Sequence, residues 1–373
     1  MAADILIFVE DPGAANYVAR LPALLIGKGL RAKLFAEGHA KDYLFQRGIQ
    51  FETVNTTDAA SKLLSSEHPQ LLVIGTSENL DTLGLRLSME ARSMGIKSVG
   101  VVDALGNAAY RFRGHSDNPL QYAPEWLAVP DGWTQKAYVS LGYPSENIVV
   151  CGHPNYDHIL DVAAGMAGEG RKAIRKRLFP DVNNELPIVV FAAEISAGIR
   201  SRQYYERSDE YTLDGRGKSI GRTSIVLEEF LDAMEVTGRQ AYMVLRMHPK
   251  NTEDELRDYM EEFDYVSHNE PPDQLIYAAD LVAGMSSILL FEAAIMGTAT
   301  LSVLPRMIEK ESVIGVLAGI TPCVTTRDEL ISILPKLLCG DSCAGHFDNR
   351  GILVKDSTER VLKLFEELLV SNT

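Results

Sequence analysis

Short apolar runs alternate with helix-like stretches along nearly the whole chain, and this alternation limits the fold more than any other feature. The runs 4–9 (DILIFV), 31–36 (RAKLFA), 70–75 (QLLVIG), 97–102 (KSVGVV) and 126–129 (WLAV) are too short for helices. Turn-forming residues such as Glu10-Asp11-Pro12-Gly13 bound them. Helical patterns near 37–47, 57–65, 80–94 and 132–141 separate them, after a first helical stretch to about Lys28 that Pro22 should kink or restart. At 144–160 a short strand runs into Gly152-His153-Pro154. A second series follows, with a helix near 168–178 and strands at 187–193, 241–246, 263–267, 280–284 and 299–304. Helices near 222–237, 253–262, 286–297 and 327–338 fill its intervals. The last stretch, 357–370, places Val361, Leu364, Phe365, Leu368 and Leu369 on one helical face, with Ser357 or Thr358 as cap.

Strands that alternate with helices imply right-handed crossovers and buried parallel sheets. The expected class is α/β, with two doubly wound domains facing one another across a cleft. The expected divisions are 1–155, 156–355, and a closing helix at 356–373 that returns to the first domain. The length of 373 residues agrees with two domains at about 150 residues each.

Charge and cysteine content narrow the partners. Lys and Arg total 36 against 51 Asp and Glu, a net charge of −15. That argues against nucleic acid, whose binding rests on basic side chains neutralising phosphates, but leaves room for one small phosphate-bearing ligand. Cys151, Cys323, Cys339 and Cys343 are too few and scattered for a disulfide framework, and Cys339 and Cys343 lack the second pair of a zinc site. No apolar run reaches the ~18 residues of a membrane span, and Met1 to Glu10 reads as a strand rather than a leader. A soluble cytoplasmic protein is expected.

Functional residues in such sheets are sought just after strands, where loops and helix N-termini present free N–H groups. In 280–304 a strand from Leu281 to Gly284 ends in Met285-Ser286-Ser287, and a helix opens with Ser286 as its natural cap. Phosphates suit this N-terminus, while Glu292, six residues past Ser286, suits the hydroxyls of a ribose. The same residues also describe an ordinary capped turn with a partly exposed Glu. The strand at 241–246 delivers Arg246 and His248, two apart and so on one face of an extended chain, where both can hold phosphate. After the strand at 187–193, Ser196, Ala197 and Gly198 form a candidate backbone cradle with Arg200 nearby. From Arg200 to Arg222 there are six basic residues and three tyrosines, either a lid over a phosphate ligand or a solvated loop.

In the first half, Glu10 and Asp11 can bind hydroxyls or take a proton, and Gly13, Ala14 and Ala15 permit close approach beside Asn16. The run 75–81 offers Glu78 and Asp81 as candidate bases, and the next loop carries Asp103, Arg111, Arg113 and His115. A Gly-x-Ser-x-Gly elbow, a P-loop and a Gly-x-Gly-x-x-Gly fingerprint are all absent from the sequence.

Together these positions resemble the two-Rossmann-domain (GT-B) sugar-nucleotide enzymes, with a layout closest to lipid A disaccharide synthase. The family's Ser-Gly-Thr-x-x-x-Glu-Ala-Ala-x-x-Gly is matched in register by Ser286-Ser287-Ile-Leu-Leu-Phe-Glu292-Ala293-Ala294-Ile-Met-Gly297. Val149-Val150-Cys151-Gly152-His153-Pro154, with Asp157 after it, resembles a family Val-Gly-His-Pro followed by Asp. The run 69–75 (PQLLVIG) resembles the strand before the loop that carries an acidic catalytic residue. Three departures stand out: Ser287 replaces a Gly, Ala193-Glu194-Ile195-Ser196 replaces a Gly-Ser-Arg turn, and Gly75-Thr76-Ser77 replaces Gly-Ile-Asp, leaving Glu78 shifted by one.

The resemblance implies a metal-independent glycosyltransferase that moves a sugar from a nucleoside-diphosphate sugar to a hydroxyl acceptor in surface polysaccharide or glycoconjugate synthesis, with no cofactor. Glu78, or failing it Glu10 or Asp11, would deprotonate the acceptor. Ser196, Gly198, Arg200, Arg246, His248, Ser286, Ser287 and Glu292 would hold the donor; Gly13, Asn16, Asp103 and His115 would line the acceptor side. The negative charge fits poorly with docking on anionic lipid, so the lipid acceptor is not carried over; peripheral membrane contact and a homodimer stay open. The alternatives are a non-hydrolysing UDP-N-acetylglucosamine 2-epimerase-like enzyme using Asp103, His115 and Glu78 as acids and bases, a CDP-glycerol transferase-like enzyme, and a non-catalytic sugar-nucleotide sensor or polymer-assembly protein.

Overall fold

The computed structural model describes residues 3–54, 59–195, 206–238, 240–268, 272–339 and 354–370. The chain divides into two compact units, Met1–Asp157 with Arg350–Thr373, and His158–Asn349.

The first unit is built on six strands: β1 (Ile5–Val9), β2 (Ala32–Ala36), β3 (Leu71–Gly75), β4 (Lys97–Val101), β5 (Trp126–Val129) and β6 (Ile148–Val150). They lie in the order β2-β1-β3-β4-β5-β6, and every pairing is parallel. All five residues of β1 are buried, because its side chains alternate between two cores. Ile5, Ile7 and Val9 enter one, and Leu6 and Phe8 enter the other. A strand buried on both faces needs no polar alternation, so β1 reads as a continuous apolar run.

The helix Ser357–Val370 supplies Val361, Leu364, Phe365 and Leu368 to the core that holds Ile5, Ile7 and Tyr17. Its N-terminus is satisfied by a distant carboxylate: Asp157 accepts from the amides of Ser357 (3.3 Å) and Thr358 (2.7 Å) and from the Thr358 hydroxyl (2.8 Å). The anion at a helix N-terminus is favoured by the exposed amides and their dipole, so the expected caps Ser357 and Thr358 are instead the first residues of the helix.

The second unit repeats the plan with β7 (Ile188–Ala192), β8 (Tyr242–Arg246), β9 (Tyr265–Ser267), β10 (Leu281–Gly284), β11 (Ala299–Val303) and β12 (Cys323–Val324). Their order is β12-β11-β10-β7-β8-β9, again with parallel pairing throughout. Val189, Phe191, Ile225, Phe230, Leu281, Ala283, Leu301 and Val303 form its largest core. Two parallel six-stranded sheets with helical crossovers are the α/β fold that the alternation anticipates.

The first helical stretch is two helices, Pro12–Val18 and Leu21–Gly27, restarted as expected with Pro22 in the first turn of the second. Two other boundaries differ from expectation. The helix expected near 168–178 is preceded by a longer one, Pro154–Glu169, and restarts as Arg171–Leu178 after Gly170, whose φ of 88° breaks the turn. Helix 286–297 is shorter, Ile288–Ile295. Among the described residues no helix is long and apolar enough to cross a membrane.

Candidate active site

In the first sheet the chain leaves β1 in one direction for β2 and returns on the other side for β3, so a topological switch point lies between β1 and β3. Ligands of open parallel sheets collect outside the strand ends at such points. Close packing shapes this one: a Cβ on Gly75 would lie 2.5 Å from Ala14 Cβ, so glycine at the end of β3 lets the helix Pro12–Val18 come near.

Glu10 leaves β1 here with its carboxylate near the first amides of the helix Leu83–Ser93, 3.4 Å from Leu83 N and 3.5 Å from Gly84 N. Burial raises its pKa to about 7; the two amides oppose that rise, while Asp11 and Glu37 add to it. Asp103 follows β4 and accepts from Arg111 Nη1 (2.6 Å) and from Thr76 Oγ1 (3.2 Å). Arg111 Nη1 also donates to Thr76 Oγ1 (2.8 Å), and its Nε to Gly106 O (3.0 Å). Burial acts to raise the Asp103 pKa, but the Arg111 guanidinium and His153 outweigh it and hold the carboxyl below its usual range. Its second oxygen lies against Gly13, where a Cβ would stand 2.2 Å from Oδ2.

His153, after β6, is buried between the rings of Tyr17 (4.8 Å) and Tyr156 (4.7 Å). Its Nδ1 accepts from Asn155 N at 3.2 Å. Burial lowers its pKa to about 4, with Asp103 opposing the fall, so the ring is neutral.

The remaining candidates of this half make other contacts, although Glu78 acts electrostatically on Arg111. Glu78 is half-buried and accepts from Asn107 Nδ2 (2.8 Å). Asp11 is half-buried at the start of the helix Pro12–Val18. Asn16 accepts from the Tyr43 hydroxyl (2.7 Å), and His115 pairs with Asp81 (2.9 Å) in an exposed contact away from the Asp103 cluster's burial. The structure thus gathers Asp103, Arg111, Thr76 and Gly13, with Glu10 on the same sheet edge. The Arg111–Thr76 contact and the buried state of His153 carry no local signal in the sequence.

In the second sheet the switch point lies between β7 and β10, whose exit loops bring Glu194 and Ser286 together. Glu194 accepts from Ser286 N (2.5 Å), from Ser286 Oγ (2.7 Å) and from Arg222 Nη1 (3.1 Å). Arg222 is itself buried and donates through Nε to Glu309 (3.0 Å) and through Nη2 to the same oxygen. Burial would lower the Arg222 pKa, but Glu309 and Glu194 outweigh it and raise it well above the ordinary value. Arg306 Nε completes the chain on Glu309 (2.8 Å).

Here the structure corrects three expectations. Ser287, not Ser286, caps the helix Ile288–Ile295, its hydroxyl accepting from Leu289 N at 3.3 Å; the chain turns helical only after its extended ψ of 133°. Glu292 is buried rather than partly exposed, since this helix is enclosed by core on most sides. Arg246 and His248 do not share an extended face, because β8 ends at Arg246 and His248 enters a turn closed by Asn251 Oδ1 on His248 N (2.9 Å). In that turn His248 Nδ1 accepts from Lys250 N (3.1 Å), and Arg246 Nη1 donates to Ser267 Oγ (2.7 Å). In the described part of the basic insert, Arg216 pairs with Asp232 and Glu262, and Arg222 with Glu194 and Glu309. Ser196, Gly198 and Arg200 lie outside the described residues. Among the described residues no group of three or more His, Cys, Asp or Glu is placed to hold a metal ion.

No protein-family model matches the chain, and no curated protein matches it in sequence. Solved structures match it over nearly its whole length. The UDP-GlcNAc 2-epimerase of Neisseria meningitidis bound to UDP-GlcNAc shares 13% identity at a TM-score of 0.69, covering 97% of this chain and 99% of that one. The Methanocaldococcus jannaschii UDP-GlcNAc 2-epimerase in complex with UDP-GlcNAc and UDP shares 14% at 0.67, covering 97% and 99%. The Rickettsia bellii UDP-N-acetylglucosamine 2-epimerase shares 13% at 0.63, covering 100% and 97%. At these identities the likeness defines the fold, the two-Rossmann α/β class called GT-B. It also corrects the expected glycosyltransferase, since these whole-chain neighbours are 2-epimerases; they share the two-Rossmann fold and do not single out the lipid A disaccharide synthase layout.

Proposed function

We propose that the chain is a non-hydrolysing sugar-nucleotide 2-epimerase acting on a UDP-N-acetylhexosamine. The observation that carries this reading is Glu10, a carboxyl with a pKa near 7 at the switch point of the first sheet, on the same edge as the ionised Asp103. A group titrating near neutral pH can both take a proton and return it. The whole-chain likeness to epimerases bound to UDP-GlcNAc supports the same substrate class.

In this reading a carboxylate removes the C2 proton of the sugar. The C2–H electron pair becomes a C1=C2 double bond, and the C1–O bond breaks with its pair leaving on the nucleoside diphosphate. Re-addition of the diphosphate at C1, with a proton delivered to the opposite face of C2, gives the epimer. Glu10 exchanges one proton and Glu78 is the candidate for the other face, while Arg111 keeps Asp103 ionised. Ser286, Arg246 and His248 hold the diphosphate, and Glu292 remains the ribose candidate.

The test is incubation with UDP-GlcNAc alone in D2O, followed by proton NMR. The C2 epimer with deuterium at C2 is expected in the absence of any acceptor. An unchanged sugar with no deuterium incorporation overturns the proposal.

A further inference from the structure

The contact between Glu194 and Ser286 places a carboxylate where the first turn after β10 presents its donors. Three donors converge on that carboxylate: a backbone amide, a hydroxyl and a guanidinium of which 4% of the side chain is exposed. This is a built anion site, already filled from within. Main-chain contacts hold residue 194 independently of its side chain, since Glu194 O accepts from Thr223 Oγ1 (2.7 Å) and Asn251 Nδ2 (3.3 Å). The carboxylate can therefore rotate away while the carbonyl of residue 194 keeps these contacts.

We infer that the Glu194 carboxylate is a displaceable internal anion, and that a diphosphate binds by replacing it on Ser286 and Arg222. The inference rests on the sugar-nucleotide reading for the identity of the ligand, and it adds Arg222 as a phosphate-binding residue. Charge supports the exchange. Arg222 is fixed from behind by Glu309, which Arg306 neutralises in turn, so Nη1 keeps its position when Glu194 leaves. A phosphate oxygen then meets the same amide, hydroxyl and guanidinium, and Arg suits it because its fork is planar and permanently charged. While Glu194 remains bound, an arriving phosphate faces a like charge and satisfied donors. The resident carboxylate thus lowers affinity for every anion at this point.

The experiment is titration calorimetry on the full chain with two probes, UDP and inorganic pyrophosphate. Glu194→Gln should tighten both by about tenfold or more, the scale of one charge-assisted hydrogen bond. Arg222→Lys and Ser286→Ala should weaken both, with thermal melts confirming that each variant is folded; Glu194→Ala repeats the first test with no side-chain amide. If wild type binds UDP and both Glu194 variants bind it no more tightly, displacement is wrong while the nucleotide reading stands. If the Glu194 variants tighten pyrophosphate but none binds UDP, displacement stands and the nucleotide reading falls. If no form binds either probe, both are overturned.

Discussion

His153 has 2% of its surface exposed between Tyr17 and Tyr156, so the folded ring resists a proton that the unfolded chain takes readily. Its pKa rises from about 4 folded to an ordinary 6.5 unfolded, so the unfolded chain binds more protons between these values. Stability from the neutral ring is therefore complete above 6.5, is lost as pH falls, and is gone below about 4. Lowering the pH from 7 to 5 should remove about 2 kcal/mol through this group alone. Glu10 works in the opposite sense: its folded pKa is raised to about 7, so its contribution is present below 4.5 and fades as pH rises through 7. The two oppose each other in the wild-type profile, and a single variant is needed to separate them. His153→Asn keeps an acceptor for Asn155 N but cannot be protonated. The chain's two tryptophans, Trp126 and Trp133, both belong to the first unit, so urea denaturation followed by tryptophan fluorescence reports that unit. The variant should be less stable at pH 7 yet lose about 2 kcal/mol less than wild type on going to pH 5. An identical loss in both proteins would refute a neutral, buried His153.

Glu10→Gln should abolish the proposed epimerisation and C2 exchange while leaving UDP binding within about twofold, because the side chain belongs to the first sheet; activity and calorimetry read the two separately. Gly13→Ala would set a Cβ 2.2 Å from Asp103 Oδ2 and push that carboxylate off Arg111 and Thr76. A loss of about 1–3 kcal/mol from overpacking is expected in the fluorescence transition, along with the activity. Phe365→Ala should cost the same transition about 3–5 kcal/mol, since its fully buried ring lies in the core with Ile5 and Tyr17.

The strands were legible because a short run buried on both faces, such as 5–9 or 188–192, is apolar throughout, and that property is local. The helix Pro154–Glu169 was not, because its Ala- and Gly-rich later part, 163–169, has no sharp apolar face. Of the candidate site, proximity in sequence revealed Asp103 with Arg111, eight residues apart in one loop. Glu194 with Arg222 and Arg222 with Glu309 are separated by 28 and 87 residues, and only the sheet order brings them together. The choice of Ser287 over Ser286 as cap was beyond sequence for a different reason: adjacent serines have equal capping chemistry, and the Glu194 contact on Ser286 decides between them.

The helix Ser357–Val370 also sets an order of events during synthesis. A ribosome releases the chain from its beginning, so β1 through β6 emerge long before the helix that shares the core of Ile5 and Ile7. All of His158–Asn349 emerges in between and needs nothing further to close its own core. The first unit therefore gains its covering helix only after the second unit has emerged, and until then its apolar face needs shielding by chaperones or transient collapse.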